Sequence, residues 1–256
     1  MIFTFDLTNE TSFPGYAGAI ISENFILTSA SCAYYCRQSS ESECFVFVGR
    51  VDGDFGGQSV DLLNTIWHES WEEDSRFDRI DIGILMVSTI EFSESVHAIA
   101  LPQQELTGET EVTITGWGKY GILDSPFPLQ HANVMAVSCN HSEQYRVKLA
   151  CTTSDIAFAC NDDGAPLVYT DRDELIGIGS VYTRVCQPEG SQYVRVYPYL
   201  EWIDSHINAS GNSTNASNSI NDKDRGLSTH EAGDGMVIVM IGLQTVLIRI
   251  MTLIYS

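Results

Sequence analysis

The stretch AGAIISENFILTSASC, residues 17–32, decides the fold. It contains two short apolar runs, AGAIIS and FILTSA, separated by the polar residues Glu23 and Asn24. Short β-branched and aromatic runs bounded by turn residues are typical of strands. The stretch therefore predicts two successive strands.

Similar runs recur on both sides of this stretch, and almost no 3.6-residue periodicity occurs before Tyr199. The other runs are FTFDL, CFVFVG, IGILMV, EVTITGWG, ELIGIGSVY and YVRVY. Many short strands with turns between them indicate an all-β sandwich or barrel. A helix is predicted only at the end of this region, over Tyr199–Ile207, where Leu200, Ile203 and Ile207 are spaced for one buried face.

The composition limits the classes of partner. The 256 residues are 44% hydrophobic, which suffices for a packed core. The net charge of −21 argues against nucleic acid and anionic membrane surfaces as partners, because both would be repelled. The charge does not argue against cationic partners. The acidity is better explained, however, as a property that keeps a secreted protein soluble.

The cysteines and sequons point to the secretory pathway. Seven cysteines match no paired zinc pattern, so disulfides are expected. Asn-x-Ser/Thr sequons occur at Asn9, Asn140, Asn208, Asn212 and Asn215. The first twenty residues lack a basic n-region and a long apolar run. We therefore expect an extracellular glycoprotein whose signal peptide is missing from this sequence.

The composition changes after the predicted helix. Residues 208–235 are polar and lack aromatics, which predicts a disordered linker, whereas 236–256 are almost wholly apolar. As a helix, twenty such residues would span about 30 Å, the thickness of a membrane core. The sequence thus predicts a folded domain over 1–207 that is tethered to the outer face of the plasma membrane. The tether is either a spanning helix, in which Arg249 is unfavourable, or a glycolipid-anchor signal.

Five motifs in the folded domain resemble those of one enzyme family. AGAIISENFILTSASC is similar to GGSLISEDWVLTAAHC, DIGILMV to DIALLKL, and TGWGKYG to SGWGxxxxG. CNDDGAPLVY is similar to CQGDSGGPLV, and QYVRVYPYLEWI to GVYTKVxxYxxWI. Residues 3 to about 208 therefore resemble the chymotrypsin-like (trypsin-like) serine proteases. The resemblance implies an all-β domain, truncated at its N-terminus, of two six-stranded antiparallel β-barrels with a C-terminal helix and an active site between the barrels.

The resemblance also implies which residues occupy the catalytic positions. Asp81 matches the aspartate of the Ser-His-Asp triad, but Ser31 stands in place of the histidine and Asp163 in place of the serine nucleophile. A serine hydroxyl cannot act as a base near neutral pH. The loop between Cys160 and Pro166 is one residue shorter than in the family, which removes a glycine of the oxyanion hole, and no IVGG segment is present to pair with Asp162. The sequence thus predicts a protein that is not an enzyme.

The pocket and the disulfides follow from the same resemblance. The positions of the specificity pocket are Phe158, Tyr182 and Ser191, which favour a plugged cavity over a hydrophobic docking surface. The implied disulfides are Cys139–Cys151 and Cys160–Cys186. The family partner of Cys32 would lie at Tyr16. We therefore expect Cys36–Cys44 as the third pair, with Cys32 buried and reduced.

The sequence is compatible with three functions. The first is a non-catalytic protease homologue that regulates, or acts as a decoy in, an extracellular proteolytic cascade by binding a protease, a zymogen or a substrate. The second is a serine endopeptidase with residual or unusual activity, and the third is a membrane-tethered adhesion scaffold. No cofactor or metal is expected, because Asp81, Asp162 and Asp163 do not supply the six or more oxygens of a calcium site. Surface roles are expected for four histidines, namely His68, His97, His131 and His141.

Overall fold

The computed structural model describes residues 2–6, 11–38, 42–49, 57–73, 80–116, 129–139, 149–152, 162–180 and 192–209. These residues lie in one compact unit, Met1–Gly211. The second unit, Asn212–Ser256, lies outside the described residues. The predicted linker beyond residue 209 and the apolar segment 236–256 therefore stay predictions.

The N-terminal half consists of short antiparallel strands and one helix. They are β1 (Ile2–Asp6), β2 (Thr11–Tyr16), β3 (Ala19–Ser22), β4 (Phe25–Thr28), α1 (Ala30–Gln38), β5 (Ser42–Val48), β6 (Gln58–Val60), β7 (Leu62–Trp67) and β8 (Gly83–Val87).

The strands of this half form two four-stranded sheets, with the orders β2-β1-β5-β6 and β3-β4-β8-β7. Two chain segments belong to both sheets, since β2 continues into β3 through Ala17 and Gly18, and β6 continues into β7 through Asp61. Strands that bend from one sheet into another form the corners of orthogonally packed β-structures. If β2 with β3 and β6 with β7 are each counted as one bent strand, the described strands of this half form a ring of six.

The C-terminal half is a closed barrel in the order β10-β11-β14-β13-β12-β9. Its strands are β9 (Thr110–Gly116), β10 (Gln130–Ser138), β11 (Leu149–Thr152), β12 (Pro166–Tyr169), β13 (Leu175–Gly179) and β14 (Gln192–Arg195). All the pairings between them are antiparallel. The structure confirms the predicted fold class.

One hydrophobic cluster connects the two halves. Leu27 of β4 and Ile82 before β8 pack together with Leu175 of β13 and Val194 of β14, and all four side chains are fully buried. Burying one large aliphatic side chain stabilises a fold by about 1.5–3 kcal/mol. The cluster fixes the start of β8 beside the end of β13, where the functional residues lie.

Helix α1 was not predicted, because the sequence suggested a strand that extends to Ala30. The strand ends at Thr28, and Ser29 then caps the helix. The Ser29 hydroxyl accepts a hydrogen bond from the N–H of Cys32 at 3.2 Å, and its carbonyl accepts one from Ala33 at 3.2 Å. Gly83 allows α1 to approach β8, because a Cβ there would lie 2.9 Å from the Cβ of Ala33.

The predicted C-terminal helix is present. A 3-10 turn, Tyr197–Tyr199, leads into a helix over 200–209, called α2, and Ile203 is fully buried while Leu200 and Ile207 pack against the same core. The helix includes Asn208 and Ala209, which the sequence analysis had assigned to the linker. In the part of the chain that the structure describes, no helix has the length and apolar character needed to cross a membrane.

Candidate functional site

The buried carboxylate of Asp81 lies at the centre of the site, where α1 of the N-terminal half meets the end of β13. The side chain is only 2% exposed. Its Oδ1 accepts a hydrogen bond from the backbone N–H of Ser31 at 2.9 Å, and its Oδ2 accepts one from the hydroxyl of Ser180 at 2.7 Å. A buried carboxylate needs such donors, because an unpaired charge in the interior is costly.

The hydroxyl of Ser31 forms its hydrogen bond with another serine. It donates to the Oγ of Ser29 at 3.1 Å, and the same oxygen of Ser29 accepts the N–H of Cys32. Ser31 therefore contacts Asp81 through its backbone, in the first turn of α1. The residue whose backbone binds Asp81 therefore carries a hydroxyl, which is a very weak acid, and not an imidazole.

Asp163 lies on a tight turn that is joined to both halves. Its carbonyl accepts the N–H of Ala17 at 2.7 Å, and the N–H of Gly164 donates to the carbonyl of Gly179 at 2.8 Å. Gly164 has a φ of +87°, and a Cβ there would overlap the carbonyl of Ala17 and the hydroxyl of Thr28. Glycine is therefore required at this position, and the turn holds Asp163 against Tyr16 and Ala17.

Tyr16 and Cys32 are both close enough to Asp81 and Asp163 for these carboxylates to affect their pKa values. Burial raises the pKa of the Tyr16 phenol well above its usual range, and electrostatic interactions with Cys32, Asp163, Tyr35 and Asp81 raise it further. Burial raises the pKa of the Cys32 thiol to about 12. Both groups therefore stay protonated near neutral pH, so neither is available as a base.

Comparison with known proteins identifies the family of the chain. A sequence model described as Trypsin matches residues 3–203. The chain belongs to the trypsin family. The assignment of Ser31, Asp81 and Asp163 to the histidine, aspartate and serine positions of that family rests on the sequence motifs and stays a prediction.

Three of the similar proteins come from Drosophila melanogaster and Hypoderma lineatum. Trypsin iota of Drosophila melanogaster is 31% identical over 64% of this chain and 66% of its own length. Trypsin alpha of the same species is 28% identical over 77% of each chain, and the collagenase of Hypoderma lineatum is 22% identical over 74% of this chain and 75% of its own. A solved structure titled HL collagenase superposes with a TM-score of 0.65 at 21% identity, covering 81% of this chain and 92% of that chain, which shows the fold.

Two of the expected disulfides are present among the described residues. Cys139–Cys151 is the pair that the family resemblance implied, and Cys36–Cys44 is the pair expected because Cys32 lacks its family partner. Cys32 is buried and reduced. Several predicted residues lie outside the described part of the chain, namely Phe158, Tyr182, Ser191, the pair Cys160–Cys186, His141, and the sequons at Asn9, Asn140, Asn212 and Asn215. Asn208 lies on α2 and is exposed.

The histidines divide into two groups. His97 and His131 are exposed, in keeping with the expected surface roles. His68 is instead half-buried, with its ring centroid 5.5 Å from that of Tyr199 and 5.4 Å from that of Trp202. His68 therefore connects the end of β7 with α2, which the sequence analysis did not predict.

Sequence reasoning also missed Ser180, the side-chain donor to Asp81. It directly follows β13, whose five residues are all buried. A single serine after an apolar strand follows no periodicity, so only the motif GIGSVY, compared with the trypsin family, could have indicated it. Among the described residues, no group of histidine, cysteine or acidic side chains suits a metal ion.

Proposed function

We propose that this member of the trypsin family is non-catalytic and acts by binding a protein partner in an extracellular proteolytic cascade. The observation that supports the proposal is that Ser31, whose backbone N–H binds Asp81, carries a hydroxyl bonded to Ser29 and no imidazole. The carboxylate is occupied by the Ser31 N–H and the Ser180 hydroxyl. Losing a general base costs roughly a hundredfold to ten-thousandfold in rate.

The residue at the nucleophile position adds to this proposal. The carboxylate of Asp163 is a better leaving group from a tetrahedral intermediate than a serine alkoxide, so attack on an amide would reverse before the peptide bond breaks. The sequence between Cys160 and Pro166 is one residue short of the family pattern, which removes a backbone donor to the oxyanion. Base, nucleophile and oxyanion hole are thus altered together.

The test is turnover by the purified chain. A panel of peptide esters and amides and a fluorophosphonate probe should give no signal above buffer, while an active trypsin in the same assay gives full turnover and labelling. The Asp81→Ala variant is the matched control for a contaminating protease. Turnover or labelling that the wild-type chain has and this variant lacks would contradict the proposal and favour an endopeptidase of unusual activity.

A partner-capture experiment separates the regulatory role from that of an adhesion scaffold. The chain is incubated with purified extracellular protease zymogens, and the rate of zymogen activation is measured. A change in rate that depends on the concentration of the chain supports the regulatory role. Cell attachment to the immobilised chain without any effect on activation supports the scaffold.

We further propose that the protein works at the outer face of a membrane, on the basis of the apolar stretch 236–256 and the three sequons between residues 208 and 217. Tethering raises the local concentration, so a weak contact with a partner becomes effective. The full chain and a version that ends at Gly235 are expressed behind a signal peptide, and intact cells are treated with phosphatidylinositol-specific phospholipase. Release indicates a glycolipid anchor and retention a spanning helix, whereas equal secretion of both versions refutes the tether.

A further inference from the structure

We infer that helix α2 is attached to the turn after β7 by an acid-sensitive contact, which opens when the ring of His68 is protonated. The contact, here called the His68 cluster, consists of His68, Glu69, Ser70, Trp202 and His206. It joins the N-terminal half of the domain to α2. The inference does not depend on whether the chain is catalytic.

The ring of His68 is held between this turn and α2. It is half-buried, and its centroid lies 5.5 Å from that of Tyr199 and 5.4 Å from that of Trp202. The backbone N–H of His68 donates to the carbonyl of Ile82 at 3.1 Å, and its carbonyl accepts the N–H of Trp71 at 2.8 Å. The backbone is therefore fixed on both sides of the ring, so a change at the ring acts on α2.

The Nδ1 atom of His68 is a hydrogen-bond acceptor, since the backbone N–H of Ser70 donates to it at 3.2 Å. A neutral imidazole has one donor and one acceptor nitrogen, so the proton of the neutral ring is on Nε2. Protonation places a second N–H on Nδ1, opposite the N–H of Ser70, and two donors cannot form a hydrogen bond with each other. The observed turn is therefore compatible only with the neutral ring.

The second histidine of the cluster, His206, has the opposite arrangement. Its Nδ1 lies 2.8 Å from the carbonyl oxygen of Trp202 and 3.2 Å from the Oγ of Ser205. A carbonyl oxygen only accepts, so this Nδ1 carries the hydrogen. Both nitrogens of a charged imidazole are donors, so the bond to Trp202 persists on protonation. His68 is therefore the acid-sensitive member of the pair.

The charges around His68 agree with its hydrogen bond. Burial has the largest effect and lowers the pKa of His68 below its usual 6.5. Glu69, on the same turn, favours protonation, whereas His206, on α2, opposes it. Tyr199 and Trp202 contact the ring from the 3-10 turn and from α2 but are uncharged near neutral pH. The attached state therefore disfavours the charged ring.

Glu69 forms the other contact between the turn and α2, and it keeps its charge in mild acid. Its Oε2 accepts the indole N–H of Trp202 at 3.0 Å. A hydrogen bond with its own backbone, together with that from Trp202, lowers the pKa of Glu69 below its usual 4.5. A protonated His68 is a second donor for this carboxylate and competes with Trp202. Protonation thus weakens both contacts with α2.

The attachment of α2 matters because this helix covers the core that joins the two halves. Ile203, which follows Trp202, is fully buried in one cluster with Leu27 and Val194. Trp202 and His206 are four residues apart and lie on one side of the helix, with ring centroids 4.6 Å apart. Loss of the contact at Trp202 therefore acts on the helix that closes this core, and α2 opens more often in acid.

Proton linkage sets the size of the effect. Released from the turn, the His68 ring has its usual pKa of 6.5, so near pH 5.0 it is protonated about thirty times more often than it is neutral. If the attached state excludes the proton, opening is up to about thirtyfold more favourable there than near pH 7.5. Glu69 reduces this limit, since it stabilises the charged ring in the attached state. We therefore expect an increase of about threefold to thirtyfold.

The experiment measures hydrogen exchange of the full chain in a non-ionic detergent by mass spectrometry, near pH 7.5 and near pH 5.0. Each rate is divided by the intrinsic rate at the same pH, which gives the protection of α2. The variant His68→Asn keeps an oxygen acceptor for the N–H of Ser70 but cannot be protonated. His206→Gln removes the second histidine, and His97→Gln is the control at an exposed position.

In the wild-type chain the protection of α2 should fall by about threefold to thirtyfold in acid, while that of β8 changes by less than about twofold. His68→Asn should abolish the fall, and His206→Gln and His97→Gln should retain it. Thermal unfolding of each variant at the wild-type temperature shows that the fold is intact.

Nuclear magnetic resonance of the histidine rings in the wild-type chain is an independent measurement, which decides the question if His68→Asn does not fold. Near pH 7.5 the ring of His68 should carry its proton on Nε2, and it should titrate below pH 6.5. The indole N–H signal of Trp202 should shift with the same midpoint.

Equal protection of α2 at both pH values overturns the inference, as does a fall that persists in His68→Asn or disappears in His206→Gln. A neutral His68 that is protonated on Nδ1 also contradicts it. An equal fall in α2 and β8 would mean global unfolding rather than opening of the His68 cluster, which refutes the local contact. Peptidase turnover is measured separately, so turnover abolished by Asp81→Ala refutes the proposed function and leaves this inference intact.

Discussion

Two carboxylates of similar hydrogen-bond geometry lie in different surroundings. Asp81 accepts bonds of 2.9 and 2.7 Å in the interior, from Ser31 and Ser180. Glu69 accepts one of 3.0 Å from the indole N–H of Trp202 at the surface. Water can replace the partner of Glu69 but not those of Asp81. The comparison teaches that burial, rather than bond length, decides what each network contributes to stability.

The largest effect is expected from removing the buried acceptor. Asp81→Ala leaves the N–H of Ser31 and the hydroxyl of Ser180 without their partner, so the free energy of unfolding should fall by about 3 kcal/mol. Urea unfolding followed by tryptophan fluorescence measures this. Glu69→Ala is the control at the surface, and an equal loss in both variants would contradict the comparison.

Removing one buried donor should have a smaller effect. Ser180→Ala leaves Asp81 with the N–H of Ser31, so a loss of about 2 kcal/mol is expected for a bond to a charged group. Combined with Asp81→Ala, the same change should cost little more than Asp81→Ala alone, because the bond is already absent. Simple additivity of the two losses in urea unfolding would show that Ser180 and Asp81 act independently.

The surface network, formed by His68, Glu69 and Trp202, should make the free energy of unfolding depend on pH through His68. Burial lowers the pKa of His68 below its usual 6.5, and the positive charge of His206 opposes protonation while Glu69 favours it. The unfolded chain therefore binds more protons than the folded chain just below pH 6.5. The contribution of His68 to stability is complete above that pH and is lost as the pH falls toward the lower folded pKa.

Unfolding free energies across this window measure the contribution of His68. The contact is partly exposed, so the effect should be smaller than that of Ser180→Ala. His68→Phe keeps a ring against Tyr199 and Trp202 and should flatten the dependence, whereas His97→Gln, at an exposed position, should not. If the pH dependence of the unfolding free energy persists in His68→Phe, it arises from another group.

The smallest effect is expected at Glu69. Glu69→Gln keeps an oxygen acceptor for the N–H of Trp202 and removes only an exposed charge, so the free energy of unfolding should change by no more than about 0.5 kcal/mol. Urea unfolding at pH 7 is sufficient to measure it. A larger loss would mean that the surface network is more protected from water than the exposure of Glu69 indicates.

The sequence predicted the parts of the fold that repeat a pattern. Short β-branched and aromatic runs predicted β1, β3, β4, β5, β8, β9, β13 and β14 but not the other strands, and the spacing of Leu200, Ile203 and Ile207 predicted α2. Helix α1 was missed because it depends on one capping side chain, Ser29, and has only nine residues. Periodicity is weak evidence over so short a segment.

The candidate site was predictable only in part. The motifs located Ser31, Asp81 and Asp163, because each lies in a contiguous run of similar residues. Ser180 was not found, since its contact with Asp81 joins positions that are far apart in the chain.

The buried thiol of Cys32 has a consequence for how the protein matures. Cys32 and Cys36 are one helical turn apart on α1, and Cys36 forms a disulfide with Cys44. Thiol–disulfide exchange requires a thiolate, and burial raises the pKa of the Cys32 thiol to about 12, so the thiol stays protonated near pH 7. In the folded chain Cys32 is therefore both buried and unreactive, which protects the neighbouring Cys36–Cys44 crosslink from rearrangement.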